Sequence, residues 1–465
     1  MLPGAAQWGT TAPTDSERRW DFGSDAADAR GGMSDNAWTG AAVAGVVAAY
    51  ALGSGRLARS PVSAAMVFVG CGILIGPVGL DLVTLETDGG PLLTLLEAAL
   101  TLVLFTDAMS VRRGDLRTGG ALPGRLLGIG LVLSIGAGWL LAWPLLPGLT
   151  GWEAALVGAI LAPTDAALGA SAVSDPRVPR LVRQTLNVES GLNDGMVLPL
   201  FVLFLAAVPG TSYAAEGASG TLWRALLLST ALGLALGWAG GRLLRRATAR
   251  GWVTAEWRQI YVLAVAAGPY ELAVVADGSG FIAAWVAGFA FAQGLGTAES
   301  AGRDEHTTDL AEYLGGLLAM LSLLFFGAVL LGPALEHLSW RLVGYAVLSL
   351  TVVRLVPVAL ALAGSGLRLP TVAYIGWFGP RGLASIVLGL LVAEEHVNGV
   401  ETIARVVAIT VGLSVLLHGM SAVWAAGRYG AWYRRAAAEP GLRESAAVPA
   451  VRGRRRIALL HRSDS

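Results

Sequence analysis

The sequence predicts an all-α polytopic membrane protein of about thirteen transmembrane helices, and three observations carry that prediction. Of the 465 residues, 54% are hydrophobic and only 14% are charged, with a mean hydropathy of +0.62. A soluble chain carries roughly 25% charged residues, so the surplus apolar surface must face lipid. From Ala37 onward the text falls into apolar segments of about 17 to 25 residues, the length that crosses a hydrocarbon core. The arginines between these segments then fall mostly on one face, as membrane insertion requires.

Taken in order, residues 1–36 are polar and rich in Asp, Ala and Gly, which predicts an N-terminal extension without regular structure. No cleavable signal peptide is visible there. Met33 is an alternative start that the sequence leaves open. Apolar spans follow at 37–53, 61–79, 90–109, 123–146, 151–172, 184–208, 221–245, 257–276, 279–295, 310–334, 339–363, 371–393 and 402–426. The separation near Asp277 rests on Gly278-Ser279-Gly280, which reads as a turn or as a kink. Residues 427–465 form a basic tail ending in Arg452, Arg454, Arg455 and Arg456, suited to lying on anionic headgroups.

With thirteen crossings one face collects Arg56, Arg59, Arg112, Arg113, Arg117, Arg125, Arg177, Arg180, Arg183, Arg242, Arg245, Arg246, Arg250, Arg303 and Arg368. The other receives little beyond Arg224, Arg341 and Arg405. The positive-inside rule makes the first face cytoplasmic, with the N-terminus outside and the C-terminus inside the cell membrane. Because 33 basic residues, all arginine, balance 33 acidic ones, nothing points to nucleic acid as a partner. Cys71 is the only cysteine, so an intramolecular disulfide is excluded and no thiolate metal centre is expected.

Polar groups inside the spans are the functional candidates, because ionisable side chains in hydrocarbon are costly. On a helix, residues three and four apart share a face. Glu189 therefore stacks with Asn193, and Ser190 with Asn193 and Asp194. The preceding span carries Thr164 and Asp165 next to Pro163, which removes a backbone donor and breaks the helix. Carbonyls freed there, a hydroxyl and carboxylates would form a hard oxygen cage that selects alkali or alkaline-earth cations. A second interrupted span lies at Gly379-Pro380-Arg381-Gly382, and paired broken helices in two halves of a chain mark a transporter's midplane site. Arg354 is a further intramembrane cation that needs a partner, and Glu189 pairs either with it or with Arg381. Glu97, Glu271 and Asp277 read as structural acids near helix ends, and His418 as a satisfied core histidine.

At these residues the chain resembles the monovalent cation:proton antiporter-1 family, bacterial sodium/proton antiporters related to animal sodium/proton exchangers. The likeness rests on P-T-D at Pro163–Asp165, V-E-S-G-L-N-D-G at Val188–Gly195, G-S-G-F-I-A-A-W-V-A-G-F at Gly278–Phe289 and F-G-P-R-G at Phe378–Gly382. It covers roughly residues 37 to 426 and departs from the family pattern at Gly191, where a larger apolar residue is usual. The resemblance implies an inverted-repeat antiporter fold with two broken, crossing helices. It makes Asp194 the carboxylate that alternately holds proton or cation, with Thr164, Asp165 and Ser190 completing the cation site. Asn193 would hold the helix crossing, Glu189 would pair with Arg354, and Arg381 would help to neutralise the site. Helices in about 123–208 and 339–426 would form a moving core, and those in about 37–109 and 257–334 a homodimerisation domain.

The function expected on these grounds is secondary active exchange of Na+ or Li+ for H+, without cofactor or enzymatic step. One proton and one cation would compete for Asp194. Asn193 carries no titratable proton, which favours electroneutral one-for-one exchange. A K+/H+ exchanger of the same fold is the alternative, since ion choice depends on cavity size and ligand flexibility. An intramembrane aspartyl protease using Asp165 and Asp194 suits the chain poorly, because Asn193 and Arg381 crowd the pair and no G-x-G-D stretch occurs.

Overall fold

A computed structural model describes residues 22–57, 60, 62–83, 90–110, 122–165, 167–296, 307–395, 397–437 and 441–445. Every regular element among them is helical. Helices α1 (Phe22–Leu57), α2 (Ala64–Ile75) and α3 (Gly90–Ser110) open the chain. They are followed by α4 (Leu122–Leu145), α5 (Gly151–Ile160), the single turn α6 (Ala170–Val173) and α7 (Arg180–Ala207). Next come α8 (Ser212–Thr221), α9 (Trp223–Ala249), α10 (Ala255–Val275), α11 (Gly280–Leu295) and α12 (Asp309–Glu336). The last are α13 (Trp340–Ala361), α14 (Leu369–Trp377), α15 (Leu383–Glu394) and α16 (Val400–Ala436).

The starts of these helices carry their own signals. Thr150 and Glu153 form a reciprocal capping box at α5, and Ser63, Ser279 and Ser339 each accept a bond from the backbone N–H three residues on. Asp277 takes a left-handed φ of 54° between α10 and α11, so the Gly278–Gly280 stretch is a turn and not a kink. Large apolar side chains such as Leu140, Trp143, Trp238 and Trp424 stand exposed along the helices, as lipid-facing surfaces do.

By length and composition, eight helices among the described residues can cross a membrane: α1 from Ala37, α3, α4, α7, α9, α12, α13 and α16. Shorter apolar helices are α2, α5, α11 and α15. Length alone finds fewer crossings than the sequence reading does, because broken spans present only half-helices. The 10 residues of α5 rise about 15 Å, half of a hydrocarbon core of about 30 Å.

Both terminal boundaries need correction. The helix expected from residue 37 already runs from Phe22, so residues 22–36 are helical where an unstructured extension was expected. No proline interrupts the chain between Pro13 and Pro61, and the Ala-rich stretch can extend a helix that the apolar segment has already nucleated. At the other end α16 continues to Ala436, past the expected start of the tail at 427. The chain then returns at Arg443–Ser445, where buried Glu444 accepts bonds from the Arg368 N–H and the Thr371 hydroxyl at the start of α14. Residues 1–21, the Arg-rich end of the tail and several loop arginines of the orientation reading lie outside the described residues.

The helices pack in two groups. In one, α9 lies along α11, α11 on α3 and α10, and α12 on α2 and α3. The first of these contacts is very close: a Cβ at Gly237 would lie 2.3 Å from the Ala287 carbonyl oxygen, and one at Gly241 2.3 Å from that of Phe291. Small residues allow such backbone approach between membrane helices. In the other group α4 packs on α5, α5 on α7, α13 on α14, and α13 and α15 on α16. Helix α7, which carries Glu189 to Asp194, also touches α3 and α11 and so borders both groups.

Candidate ion-binding site

The predicted break at Pro163 ends α5 at Ile160, and residues 161–165 run without helical structure. The break at Gly379–Gly382 separates α14 from α15 in the same way. The two irregular stretches meet. Asp165 N–H donates to the Pro380 carbonyl at 2.7 Å, and the Arg381 guanidinium donates through one nitrogen to the carbonyls of Ala162 at 3.0 Å and Pro163 at 3.2 Å. Ser385, one turn into α15, donates to the Ile160 carbonyl at 2.7 Å.

The sequence expectation of free carbonyls at the first break is therefore corrected. The carbonyls of Ile160, Ala162, Pro163 and Thr164 leave the helical ladder, but each accepts a hydrogen bond from a side chain of another segment. In hydrocarbon an unsatisfied carbonyl costs several kcal/mol, so the fold supplies donors where water cannot.

Helix α7 closes the third side. Ser190 Oγ donates to the Thr164 carbonyl at 2.8 Å and Asn193 Nδ2 to Thr164 Oγ1 at 2.6 Å. Asn193 Oδ1 makes no hydrogen bond among the described residues. Asp194 is buried on the same face, and Asp165 is half-buried with Oδ1 accepting from the Ala167 N–H. These contacts bring Thr164, Ser190 and Asn193 together from two segments, with Asp165 next to Thr164 and Asp194 next to Asn193 in the chain. A carbonyl oxygen has two lone pairs, so the Thr164 carbonyl can accept a second contact while holding Ser190.

Glu189 turns away from this cluster. Its two carboxylate oxygens accept from Arg354 Nη1 at 2.7 Å and Nη2 at 2.9 Å, and both side chains are buried. Of the two arginines that the sequence left open as partners, Arg354 makes the contact. Its guanidinium also packs flat on the second break, since a Cβ at Gly379 would lie 2.3 Å from Arg354 Nε. Gly382 is needed for a similar reason: a Cβ there would lie 2.5 Å from Asp165 Oδ2.

Arg381 is fully buried, and its Nε and Nη2 have no hydrogen-bond partner among the described residues. Its backbone N–H donates to Ser414 Oγ at 2.7 Å, and Ser414 in turn faces His418 Nδ1 at 3.1 Å. His418 Nε2 lies 2.9 Å from the Trp377 carbonyl, the last residue of α14. His418 is the satisfied core histidine that the sequence suggested, and what it satisfies is the second break.

Sequence reasoning gave no role to Ser385, Ser414 or Trp285. The serines were visible only as small polar residues in apolar helices beside a break. Trp285 of α11 covers Gly195, the residue after Asp194, so closely that a Cβ there would lie 2.2 Å from its Nε1. That indole N–H is buried without a partner among the described residues. Glu97 and Glu271 take no part in the cluster, and Asp277 forms an exposed pair with Arg224 at 3.4 Å. No group of three or more His, Cys, Asp or Glu among the described residues has the geometry of a resident metal centre.

Comparison with known proteins bears on the family and the fold. A family model described as "Sodium/hydrogen exchanger, transmembrane" matches residues 43–426. Similar relatives include Na(+)/H(+) antiporter 2 of Zygosaccharomyces rouxii, 27% identical over 64% of this chain and 42% of the relative. K(+)/H(+) antiporter NhaP of Alkalimonas amylolytica is 26% identical over 71% of this chain and 57% of the relative. K(+)/H(+) antiporter NhaP2 of Shewanella oneidensis is 26% identical over 78% and 62%. The chain thus spans between 42% and 62% of the length of these curated relatives. Among solved structures, the sodium proton antiporter MjNhaP1 of Methanocaldococcus jannaschii at pH 8 superposes with a TM-score of 0.66 at 20% identity. That match covers 86% of this chain and 99% of the other, and the fold is shared.

Proposed function

Because the chain belongs to the sodium/hydrogen exchanger transmembrane family, we propose that it exchanges Na+ or Li+ for H+ across the cell membrane, one for one. The observation that supports this most is the charge count around the crossed breaks. Glu189 and Arg354 cancel in their buried pair. Arg381, buried with no carboxylate in its hydrogen bonds, offsets one of the acids Asp165 and Asp194. In this count His418 is taken as a neutral imidazole, its Nδ1 accepting from the Ser414 hydroxyl and its Nε2 donating to the Trp377 carbonyl. Among these groups the acids then outnumber the cations by one, and a single proton or a single monovalent cation balances the count.

Asp194 is the carboxylate assigned to that exchange, with Thr164, Asp165 and Ser190 as the other oxygen ligands of the cation. Asn193 positions Thr164 through its amide, and its unengaged Oδ1 leaves an acceptor on the ion side. An uncompensated charge is costly to carry through hydrocarbon. Only the protonated or cation-loaded core then crosses, and competition for one carboxylate is sufficient to couple the two fluxes. Residues 123–208 and 339–426 would move as the core against a homodimeric scaffold of 37–109 and 257–334, with the N-terminus outside and the C-terminus in the cytoplasm. The two packing groups, and α7 at their border, support that division.

Exchange of K+ for H+ is the second reading, favoured by the names of two of the relatives. One assay separates the readings. In proteoliposomes with an imposed pH gradient, added Na+ or Li+ should collapse the gradient, at a rate indifferent to membrane potential. Asp194→Asn should abolish the response. Collapse by K+ alone would transfer the assignment to the potassium exchanger. Undiminished exchange in Asp194→Asn would sink the mechanism, and a potential-dependent rate would sink its one-for-one stoichiometry.

A further inference from the structure

A lateral groove of about 1070 Å³ lies between α14 and the last part of α16. One wall is Pro370 and Trp377 of α14, and the other is Val423 and Trp424 of α16, with Arg428 and Arg435 toward the C-terminal end. Its lining is mainly apolar and no carboxylate contributes to it among the described residues. Trp424 is 67% exposed, and both arginines are exposed. We propose that this groove seats one anionic phospholipid of the leaflet on the arginine side, with its acyl chain along the tryptophans and its headgroup on Arg428 and Arg435.

Dimensions and charge both select this occupant. From Ser421 to Arg435 helix α16 rises about 21 Å, which is one leaflet including its headgroup layer. Tryptophan belongs at that interface because its ring is apolar while its N–H is polar. The Arg428 guanidinium lies over the Trp424 ring at 5.8 Å from its centroid, which holds the cation at the rim of the groove. The chain's own tail is the competing occupant, since Ser445, the last residue before it, lies 3.3 Å through its Oγ from the Tyr433 hydroxyl on α16. It carries Arg452, Arg454, Arg455 and Arg456, and like charge disfavours laying it on two more arginines.

The inner end of the groove gives the lipid a route to the ion site. Trp377 Nε1 donates to Ser421 Oγ at 2.9 Å, and the Trp377 carbonyl meets His418, which faces Ser414 and so the backbone of Arg381. A chain seated against Trp377 therefore packs on the residue that precedes the second break.

The test measures binding directly, apart from any ion exchange, so its failure and the failure of the antiport reading are distinguishable. The full chain in detergent is titrated with phosphatidylglycerol and with phosphatidylcholine, and bound lipid is counted by native mass spectrometry. The expected result is preferential retention of one phosphatidylglycerol, bound roughly tenfold more weakly by Arg428→Gln/Arg435→Gln. Trp424→Ala should also weaken it, while a chain ending at Ser445 should bind as the full chain does. Equal retention of both lipids, or unchanged binding by the double variant, would overturn the proposal. So would phosphatidylglycerol binding that appears only after truncation, since the tail would then be the occupant.

Discussion

The two helix breaks have the same shape and opposite chemistry. The first, at Pro163–Asp165, releases carbonyls and carries an acid. The second, at Phe378–Gly382, supplies donors: the Arg381 side chain, with Ser385 just beyond it, bonds to the carbonyls that the first break releases. Each break is thus the other's hydrogen-bond complement, and neither could be buried in hydrocarbon alone. The difference also divides the labour. The oxygens proposed for the cation come from the first break and α7, while the second break supplies the donors that hold the scaffold.

The largest way to disturb that division is to cut the tie between α7 and the second break. Glu189→Ala leaves Arg354 buried without its carboxylate partner against Gly379, which should cost about 3–5 kcal/mol. Arg354→Ala should cost a similar amount by stranding Glu189. Thermal unfolding in detergent should show Glu189→Ala/Arg354→Ala losing less than the sum of the single variants, because the double change leaves no uncompensated charge. A strictly additive double variant would mean that the pair does not hold these elements together.

A smaller effect is expected at Arg381. Arg381→Met removes the donor shared by the Ala162 and Pro163 carbonyls and should destabilise by about 1–3 kcal/mol, since it also relieves a buried charge. Arg381→Lys keeps the charge but puts a compact ammonium on a shorter side chain in place of the guanidinium nitrogen that serves both carbonyls. It should therefore retain more stability than Arg381→Met, and comparing their Na+-driven exchange separates charge balance from hydrogen bonding. Equal exchange by both variants would remove Arg381 from the charge count.

Much of this was legible in the sequence, for identifiable reasons. Burial in lipid needs long apolar runs, so the spans were readable from composition, and proline or glycine inside a run marks a break wherever it falls. Helical spacing alone grouped Ser190, Asn193 and Asp194, but it also put Glu189 in their sector, where the structure turns it to Arg354. What could not be read were pairings across the fold. From the residues alone Arg354 and Arg381 stayed open as partners of Glu189, and only the family resemblance favoured Arg354, 165 positions away. Nothing pointed to the Ser385 bond to Ile160, which spans 225. Local pattern also misplaced the helix ends at Phe22 and Ala436, where a polar or basic stretch continues a helix nucleated by its apolar neighbour.

The smallest predicted effect is the sharpest test of the contrast between the breaks. Ser385 and Ser190 make the same bond, a hydroxyl donating to a released carbonyl, at 2.7 Å to Ile160 and 2.8 Å to Thr164. Removing either hydroxyl should therefore cost a similar, modest stability, about 0.6 kcal/mol for a side-chain bond between membrane helices. Their chemistry should nevertheless separate. Ser190 stands on the face that carries Asp194 and holds the Thr164 carbonyl assigned to the cation, whereas Ser385 bonds four residues earlier in the chain, at the end of α5. Ser190→Ala should raise the apparent KM for Na+ in proteoliposomes, and Ser385→Ala should leave it unchanged at nearly equal unfolding temperature. Equal KM values in the two variants would mean that the ligand set does not include Ser190, and that the oxygens of the first break are structural in the way the donors of the second are.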